Sequence, residues 1–326
     1  MHNTNFKAII LAGGNGERFW PLSTPDKPKQ FLDIFGGSSL IRQSVLRLEG
    51  LVSWNDIFVV TSERLVDETR REIPELPPQN VIGEPLRKDT CAAIALGVGI
   101  AKSGIIGFFS SDQLISDQPK FCASINEAIR KASTGQKIVT IGLKPTFPST
   151  SFGYVDPTSK RFVEKPNAIR AQEYINNGYL WNAGMFIADA DVLRSAFLHY
   201  APNFISLCNC VDYSPYNLKQ AYEKLPKTSF DFAVMEKCCN IDVVEGDFGW
   251  DDVGSYAAFD KYFQHDECGN VKDGLCNVVD SRNNICISKH GKIALLGVEN
   301  LVVVSTPDVV LVVDKSKVAD MKKLFN

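Results

Sequence analysis

The sequence predicts an α/β protein built on a mostly parallel sheet, closed by a small β-rich unit. Three observations carry that prediction. Short apolar runs alternate with helical patterns through the first two-thirds of the chain, as in a sheet covered on both faces. From about Cys268 the texture changes to short β-rich segments punctuated by turn residues. No low-complexity tract separates the two parts, so they are expected to pack together.

The candidate strands of the first part are residues 8–11, 57–61, 80–82, 105–110 and 138–142. Between them, Ile41, Val45, Leu48 and Val52 fall on one helical face. Residues 90–102 are alanine-rich and read as a helix, with Asp89 or Thr90 as its N-cap. A further helix fits 121–132. In the second part, strands are expected at 277–280, 284–288, 292–296, 301–305 and 309–313, with a helical tail over 315–325. The expected division is a large α/β domain at 1–267 and a small β-rich domain at 268–326.

Composition excludes several classes. Hydrophobic residues make up 44% and charged residues 22%, ordinary for a globular enzyme. A net charge of -3 provides no global basic field for nucleic acid or acidic lipid. A polyanionic substrate therefore requires positive charge concentrated at a site. Nine cysteines at irregular spacings, without a C-x-x-C pair, fit neither a zinc ribbon nor a disulfide framework. The first apolar run, 6–12, is short and leads into glycines, so no export signal is expected. No stretch reaches transmembrane length. The expectation is a soluble cytoplasmic protein that binds neither nucleic acid nor membrane.

Parallel sheets bind ligands beyond the carboxyl ends of their strands. The first such end is Leu11-Ala12-Gly13-Gly14-Asn15-Gly16-Glu17-Arg18, followed by Phe19-Trp20-Pro21-Leu22-Ser23. Glycines let backbone N–H groups approach phosphate oxygens, and Arg18 adds charge-assisted bonds. Read alone, the segment is equally a tight turn with a surface arginine. It is not a Walker loop, since Glu17 and Arg18 follow Gly16. Nor is it a dinucleotide fingerprint, since Phe19 stands where a third glycine is needed. Downstream, Pro28-Lys29-Gln30-Phe31 offers Lys29 to the same phosphates; by itself, the dipeptide is an ordinary solvated loop.

These segments resemble the N-terminal signature of sugar-1-phosphate nucleotidyltransferases, in their mannose-1-phosphate guanylyltransferase branch. Further matches follow in the family's order: Gly83-Glu84-Pro85 with Thr90, Phe162-Val163-Glu164-Lys165-Pro166, Trp181-Asn182-Ala183-Gly184-Met185-Phe186, Asp231-Phe232-Ala233-Val234-Met235-Glu236-Lys237 and Trp250-Asp251-Asp252-Val253-Gly254-Ser255. They span essentially the whole chain. The resemblance implies a Rossmann-like, mostly parallel mixed sheet of the nucleotide-diphospho-sugar transferase type. It also implies a C-terminal left-handed β-helix-like unit used in forming a homodimer. The implied reaction is Mg2+-assisted in-line transfer from GTP to mannose 1-phosphate, giving GDP-mannose and pyrophosphate.

Site roles follow from the resemblance and from side-chain chemistry. Leu11, Ala12, Gly13, Gly14, Gly16, Arg18, Glu84, Pro85 and Thr90 are assigned to the nucleotide. Arg18, Lys29, Asp112 and Lys165 are assigned to catalysis, and Asp112 with Asp252 to the metal, which favours one or two carboxylates plus substrate phosphates. Gly153, Glu164, Lys165, Asn182 and Gly184 are assigned to the sugar phosphate. Glu164 accepts from hydroxyls, Lys165 holds the phosphate as a point charge, and Asn182 both donates and accepts. Gly153 and Gly184 are expected to let the sugar ring lie against backbone. Trp181 reads as core packing. The Glu84 carboxylate matches the two adjacent donors of guanine, N1–H and the exocyclic amine. Arg87 and Lys88 are expected to face solvent rather than the nucleotide.

Three departures stand out. Gln113 follows the first metal aspartate where the family often has histidine. Asp251 adds charge before Asp252. The chain ends at Asn326 without the isomerase domain of longer relatives, so it is not expected to interconvert mannose and fructose phosphates. The alternatives are a glucose-1-phosphate uridylyl- or thymidylyltransferase of the same fold, and a non-catalytic paralogue that binds sugar nucleotides.

Overall fold

The computed structural model describes residues 5–14, 16–35, 37–210 and 214–324. Asn15 of the glycine loop and Phe325 of the tail lie outside the described residues. The chain divides into two compact units, one of residues 1–13 and 41–251, the other of 14–40 and 252–326.

The first unit is organised around a nine-stranded sheet. Its strands are β1 (Phe6–Ala12), β2 (Ile57–Ser62), β3 (Val81–Glu84), β4 (Ile105–Ser110), β6 (Ile138–Leu143), β9 (Leu180–Asp189) and β10 (Ile241–Gly246), with β7 (Tyr154–Val155) and β8 (Phe162–Val163) attached. Two short strands, β5 (Leu114–Ile115) and β11 (Trp250–Asp251), pair apart from it. The order is β10-β6-β9-β4-β1-β2-β3. Strands β1 to β4 are parallel, whereas β9 runs antiparallel to both β4 and β6. The start of β9 therefore lies at the same edge as the carboxyl ends of β1 to β4. Burial explains the strands: β6 is buried along its whole length and β4 at all but its last residue, so both read as continuous apolar runs.

The helices of this unit are α1 (Leu40–Leu46, which begins at the last residue of the other unit), α2 (Val66–Glu72), α3 (Thr90–Ala101), α4 (Gln118–Gly135), α5 (Ala168–Asn176), α6 (Ala190–Tyr200), α7 (Ile205–Cys208) and α8 (Pro215–Glu223). Helix α3 is apolar on every side because it is buried on nearly every side. Asp89 caps it, its carboxylate accepting from the Thr90 N–H at 2.8 Å. By contrast, α4 keeps one apolar stripe of Phe121, Ile125, Ala128, Ile129 and Ala132.

The second unit contains the 14–40 segment, the short helix α9 (Ala257–Tyr262) and six strands. These are β12 (Val271–Asp273), β13 (Cys276–Val279), β14 (Ile285–Ser288), β15 (Ile293–Leu296), β16 (Leu301–Ser305) and β17 (Val310–Asp314). Parallel pairing stacks β12 on β14 on β16, and β13 on β15, in β-helix-like coils; antiparallel β17 ends the stack. Buried Asn270 and Asn284 join successive coils. The Asn284 side-chain amide donates to Asn270 Oδ1 at 3.0 Å, and its own oxygen accepts from the Leu301 N–H at 2.9 Å. The tail over Lys315–Leu324 is 3-10 rather than α-helical.

Candidate active site

The sheet edge of the first unit gathers two groups of side chains. The first surrounds Glu84, the last residue of β3 and only 9% exposed. The fully buried Tyr222 donates its hydroxyl to Glu84 Oε1 at 2.9 Å. A Cβ on Gly13 would stand 3.5 Å from Glu84 Oε2, so the missing side chain keeps that oxygen uncovered. Burial pushes the Glu84 carboxyl up to about 7, against the lowering effects of the Tyr222 hydrogen bond and the Arg87 charge. Arg87 is exposed as the sequence suggests, but it is not idle: its Nη2 donates to the Gly13 carbonyl at 2.9 Å. Lys88 Nζ donates to the Leu225 carbonyl at 2.6 Å.

The second group is centred on Glu164 and Lys165. Lys165 Nζ lies 2.6 Å from Glu164 Oε1. Its backbone is held at φ 43, a conformation that side chains disfavour and that marks a constrained position. Glu164 takes the space a Gly153 side chain would need, since a Cβ there would meet Glu164 Oε2 at 2.5 Å. Gly153 thus makes room for the carboxylate. Gly184, at φ 69, is open: among the described residues only Gln113 Nε2, at 3.8 Å, lies near a Cβ position there.

Asn182 is already engaged by protein groups. Its Oδ1 accepts from the Thr140 hydroxyl at 2.8 Å and the Gly184 N–H at 3.1 Å, and its Nδ2 donates to Asp231 Oδ1 at 3.0 Å. Asp231 opens a π-helical turn, Asp231–Met235, of the kind that often marks functional sites. Thr90 braces that turn, its hydroxyl accepting from the Phe230 N–H at 3.0 Å. Burial, reinforced by the neighbouring Glu164 charge, pushes Asp231 up to about 7. Burial also raises Glu164. Glu236 accepts the Glu164 N–H at 2.8 Å. The carboxylates here can accept from ligand hydroxyls, while the Lys165 ammonium offers positive charge to a phosphate.

Asp112 follows β4 at the same edge, half-buried, and takes the Ser110 hydroxyl at 2.5 Å. Gln113 is buried; its Nε2 donates to the Ala183 carbonyl at 2.9 Å, while its Oε1 has no partner among the described residues. Trp181 is 5% exposed and packs on Phe147 and Phe152, as a core residue does.

The second unit carries Arg18, Lys29 and Asp252. Gly16, at φ 61, could not bear a Cβ, which would meet the Lys29 backbone nitrogen at 2.6 Å. Lys29 is buried and donates to the Asp252 carbonyl at 2.7 Å. A Cβ on Gly254 would lie 3.4 Å from both Arg18 Nη1 and Asp252 Oδ2, so glycine leaves these two charges room. Val253, between Asp252 and Gly254, is held at φ 47, a strained state for a β-branched residue. Tyr256 fixes the loop by donating to the Phe19 carbonyl at 2.8 Å. Among the described residues, no group of three or more His, Cys, Asp or Glu is arranged to hold a metal.

Residues 7–268 match the profile of the family described as Nucleotidyl transferase. The chain belongs to the nucleotidyl transferase family. Residues 277–326 of this nucleotidyl transferase match a second profile, the MannoseP isomerase/GMP-like beta-helix domain. A curated relative named mannose-1-phosphate guanylyltransferase, from Klebsiella pneumoniae, is 35% identical, over 97% of this chain and 72% of its own length. An Escherichia coli relative of the same name is 32% identical, over 99% of this chain and 73% of its own length. A solved structure described as mannose-1-phosphate geranyltransferase from Thermus thermophilus superposes with a TM-score of 0.89 at 31% identity. It covers 99% of this chain and 98% of that one.

Within the nucleotidyl transferase, sequence reasoning passed over Tyr222 altogether and quoted Asp231 only as part of a motif. Asp231 had a signal, an acid among apolar residues in a family motif. Tyr222 had none, because its partner is 138 residues away. No helix of the described residues is long and apolar enough to cross a membrane, and among the described residues the nine cysteines form no disulfide.

Proposed function

We propose that this nucleotidyl transferase is a mannose-1-phosphate guanylyltransferase, converting GTP and α-D-mannose 1-phosphate to GDP-mannose and pyrophosphate. One observation carries the reading. A single sheet edge of the first unit bears a buried carboxylate suited to guanine and, separately, an acid-rich group with one ammonium suited to a sugar phosphate. The relatives' names support the same substrates.

A phosphate oxygen of mannose 1-phosphate attacks the α-phosphorus of GTP in line. As that P–O bond forms, the bond to the β-phosphate oxygen breaks and its electron pair leaves with pyrophosphate. The nucleophile is already an anion, so no general base is needed, and the protein's work is positioning and electrostatics. Lys165 holds the attacking phosphate. Glu164 and Asp231 accept from sugar hydroxyls, with Asn182 orienting Asp231. Arg18 and Lys29 neutralise the triphosphate, beside the glycines 13, 14 and 16. Glu84 accepts from guanine, with Pro85 and Thr90 shaping its surroundings. Mg2+ would supply further neutralisation of phosphate charge, and Asp112 and Asp252 are the carboxylates we assign to it. We read the protein as cytoplasmic, in keeping with cysteines that form no disulfide among the described residues, and as a homodimer. The exposed Leu275, Leu296, Val310 and Val312 of the C-terminal coils support the dimer.

The test is pyrophosphate release with Mg2+, mannose 1-phosphate and each of GTP, UTP, dTTP and ATP, repeated with glucose 1-phosphate. Release strongly favouring GTP with mannose 1-phosphate is expected. Preference for another pair would discard the substrate assignment, and no release from folded, nucleotide-binding protein would discard the activity.

A further inference from the structure

A glutamate that reads a base has to hold its carboxylate plane still, and three rotatable bonds work against that. Glu84 gains its rigidity from elsewhere in the chain. Tyr222, near the end of α8, is completely buried and reaches the carboxylate at 2.9 Å through its hydroxyl. We infer that Tyr222 is a positioning residue for purine choice, pinning Glu84 Oε1 so that the carboxylate presents its acceptors to the two adjacent donors of guanine. The inference rests on the reading of Glu84 as the group that meets the base.

Tyr222 takes one lone pair of Oε1 and leaves the other. Oε2 faces the bare Gly13 position, where a side chain would cover it. Arg87 fixes the Gly13 carbonyl on the same side. Both oxygens of a pinned carboxylate thus remain able to accept. A purely structural role explains the pair poorly. A buried tyrosine hydroxyl needs only an acceptor, and a neutral glutamine would serve without the cost of burying a carboxylate. A buried carboxyl shifted this far by desolvation, at the ligand edge of a sheet, is a candidate for function.

The charged and titratable groups facing Glu84 are Tyr222, Arg87 and Asp89. The Tyr222 hydrogen bond and the Arg87 charge favour the carboxylate; burial and Asp89 oppose it. Guanine's donors require the ionised form, so kcat/KM for GTP should fall on the acid side of about pH 7 in the wild type. Removing the hydroxyl removes one stabiliser of the ionised form, which moves that limb to higher pH.

The experiment compares wild type, Tyr222→Phe and Glu84→Gln, with mannose 1-phosphate as acceptor and GTP or ITP as donor, from pH 5.5 to 9. ITP lacks the exocyclic amine. For Tyr222→Phe, the GTP-to-ITP ratio of kcat/KM should fall about tenfold, through KM rather than kcat, with the acid limb displaced upward. Tyr222→Met removes the same donor with a different core shape and replaces the phenylalanine variant if that does not fold. If Glu84→Gln loses the ratio while the Tyr222 variants keep both ratio and limb, the inference is overturned and Glu84 stands as the reader. If Glu84→Gln keeps the ratio, the base-reading assignment itself is overturned, and this inference with it.

Discussion

Replacing Glu84 by glutamine should make the protein's stability less sensitive to pH, with a sign opposite to that of an ordinary salt-bridged acid. In the folded chain, burial raises this carboxyl from its ordinary 4.5 to about 7. The neutral form is favoured by folding, so its contribution is fully present below pH 4.5 and is lost as pH rises through 7. A difference of about 2.5 pH units at about 1.36 kcal/mol each comes to roughly 3 kcal/mol at pH 8. Glutamine is neutral throughout and loses nothing across that window. Any offset from the amide itself is the same at every pH and drops out of the comparison. Asp231 titrates in the same range in both proteins and cancels in the comparison. The assay is urea unfolding at pH 5, 6, 7 and 8, followed by tryptophan fluorescence. Three of the four tryptophans, Trp54, Trp181 and Trp250, belong to the first unit, so the signal reports on the unit that holds Glu84. The stability of the variant relative to wild type should climb by about 3 kcal/mol from acid to alkaline pH. Parallel stability curves over that range would refute the claim that burial has shifted this group.

Two further changes probe the other clusters. Gly153→Ala should displace the Glu164 carboxylate, destabilise the fold by about 1–3 kcal/mol and raise KM for the sugar phosphate more than KM for GTP; thermal melting and separate substrate titrations check this. Asp112→Asn keeps an acceptor for Ser110 but removes the charge assigned to the metal, so kcat should drop on the order of a thousandfold, as EDTA should abolish wild-type turnover. Activity within tenfold of wild type at saturating Mg2+ would remove Asp112 from that role.

Much of the first unit was legible because periodicity reports burial directly. Strand β4 occupies 105–110 as expected, and β1, β2 and β6 extend only one or two residues beyond their predicted ends. Helix α3 begins at Thr90 with Asp89 as the cap, settling a choice that the sequence left open. The C-terminal strands fall within a residue of their expected positions. The short β12 was missed because three residues are too few for alternation to register. The tail is 3-10 over all of Lys315–Leu324, a distinction that side-chain spacing does not encode.

Sequence by itself determined the alternation of strands and helices, the glycine-rich strand end, the change of texture near Cys268 and the motifs that identify the family. All of these are local: a few consecutive residues carry the apolar period, the turn chemistry or the motif. Tertiary structure alone decided which groups meet. It joined residues 14–40 to 252–326 in one unit, where the 1–267 and 268–326 division follows chain order. It gave Gly153 to Glu164 rather than to open space, bound Asn182 at both ends of its amide, and brought Tyr222 to Glu84 across 138 residues. The physical reason is that hydrogen bonding and close packing are satisfied between neighbours in space. Folding sets those neighbours through the burial of the whole sheet, and no short stretch of sequence contains both partners.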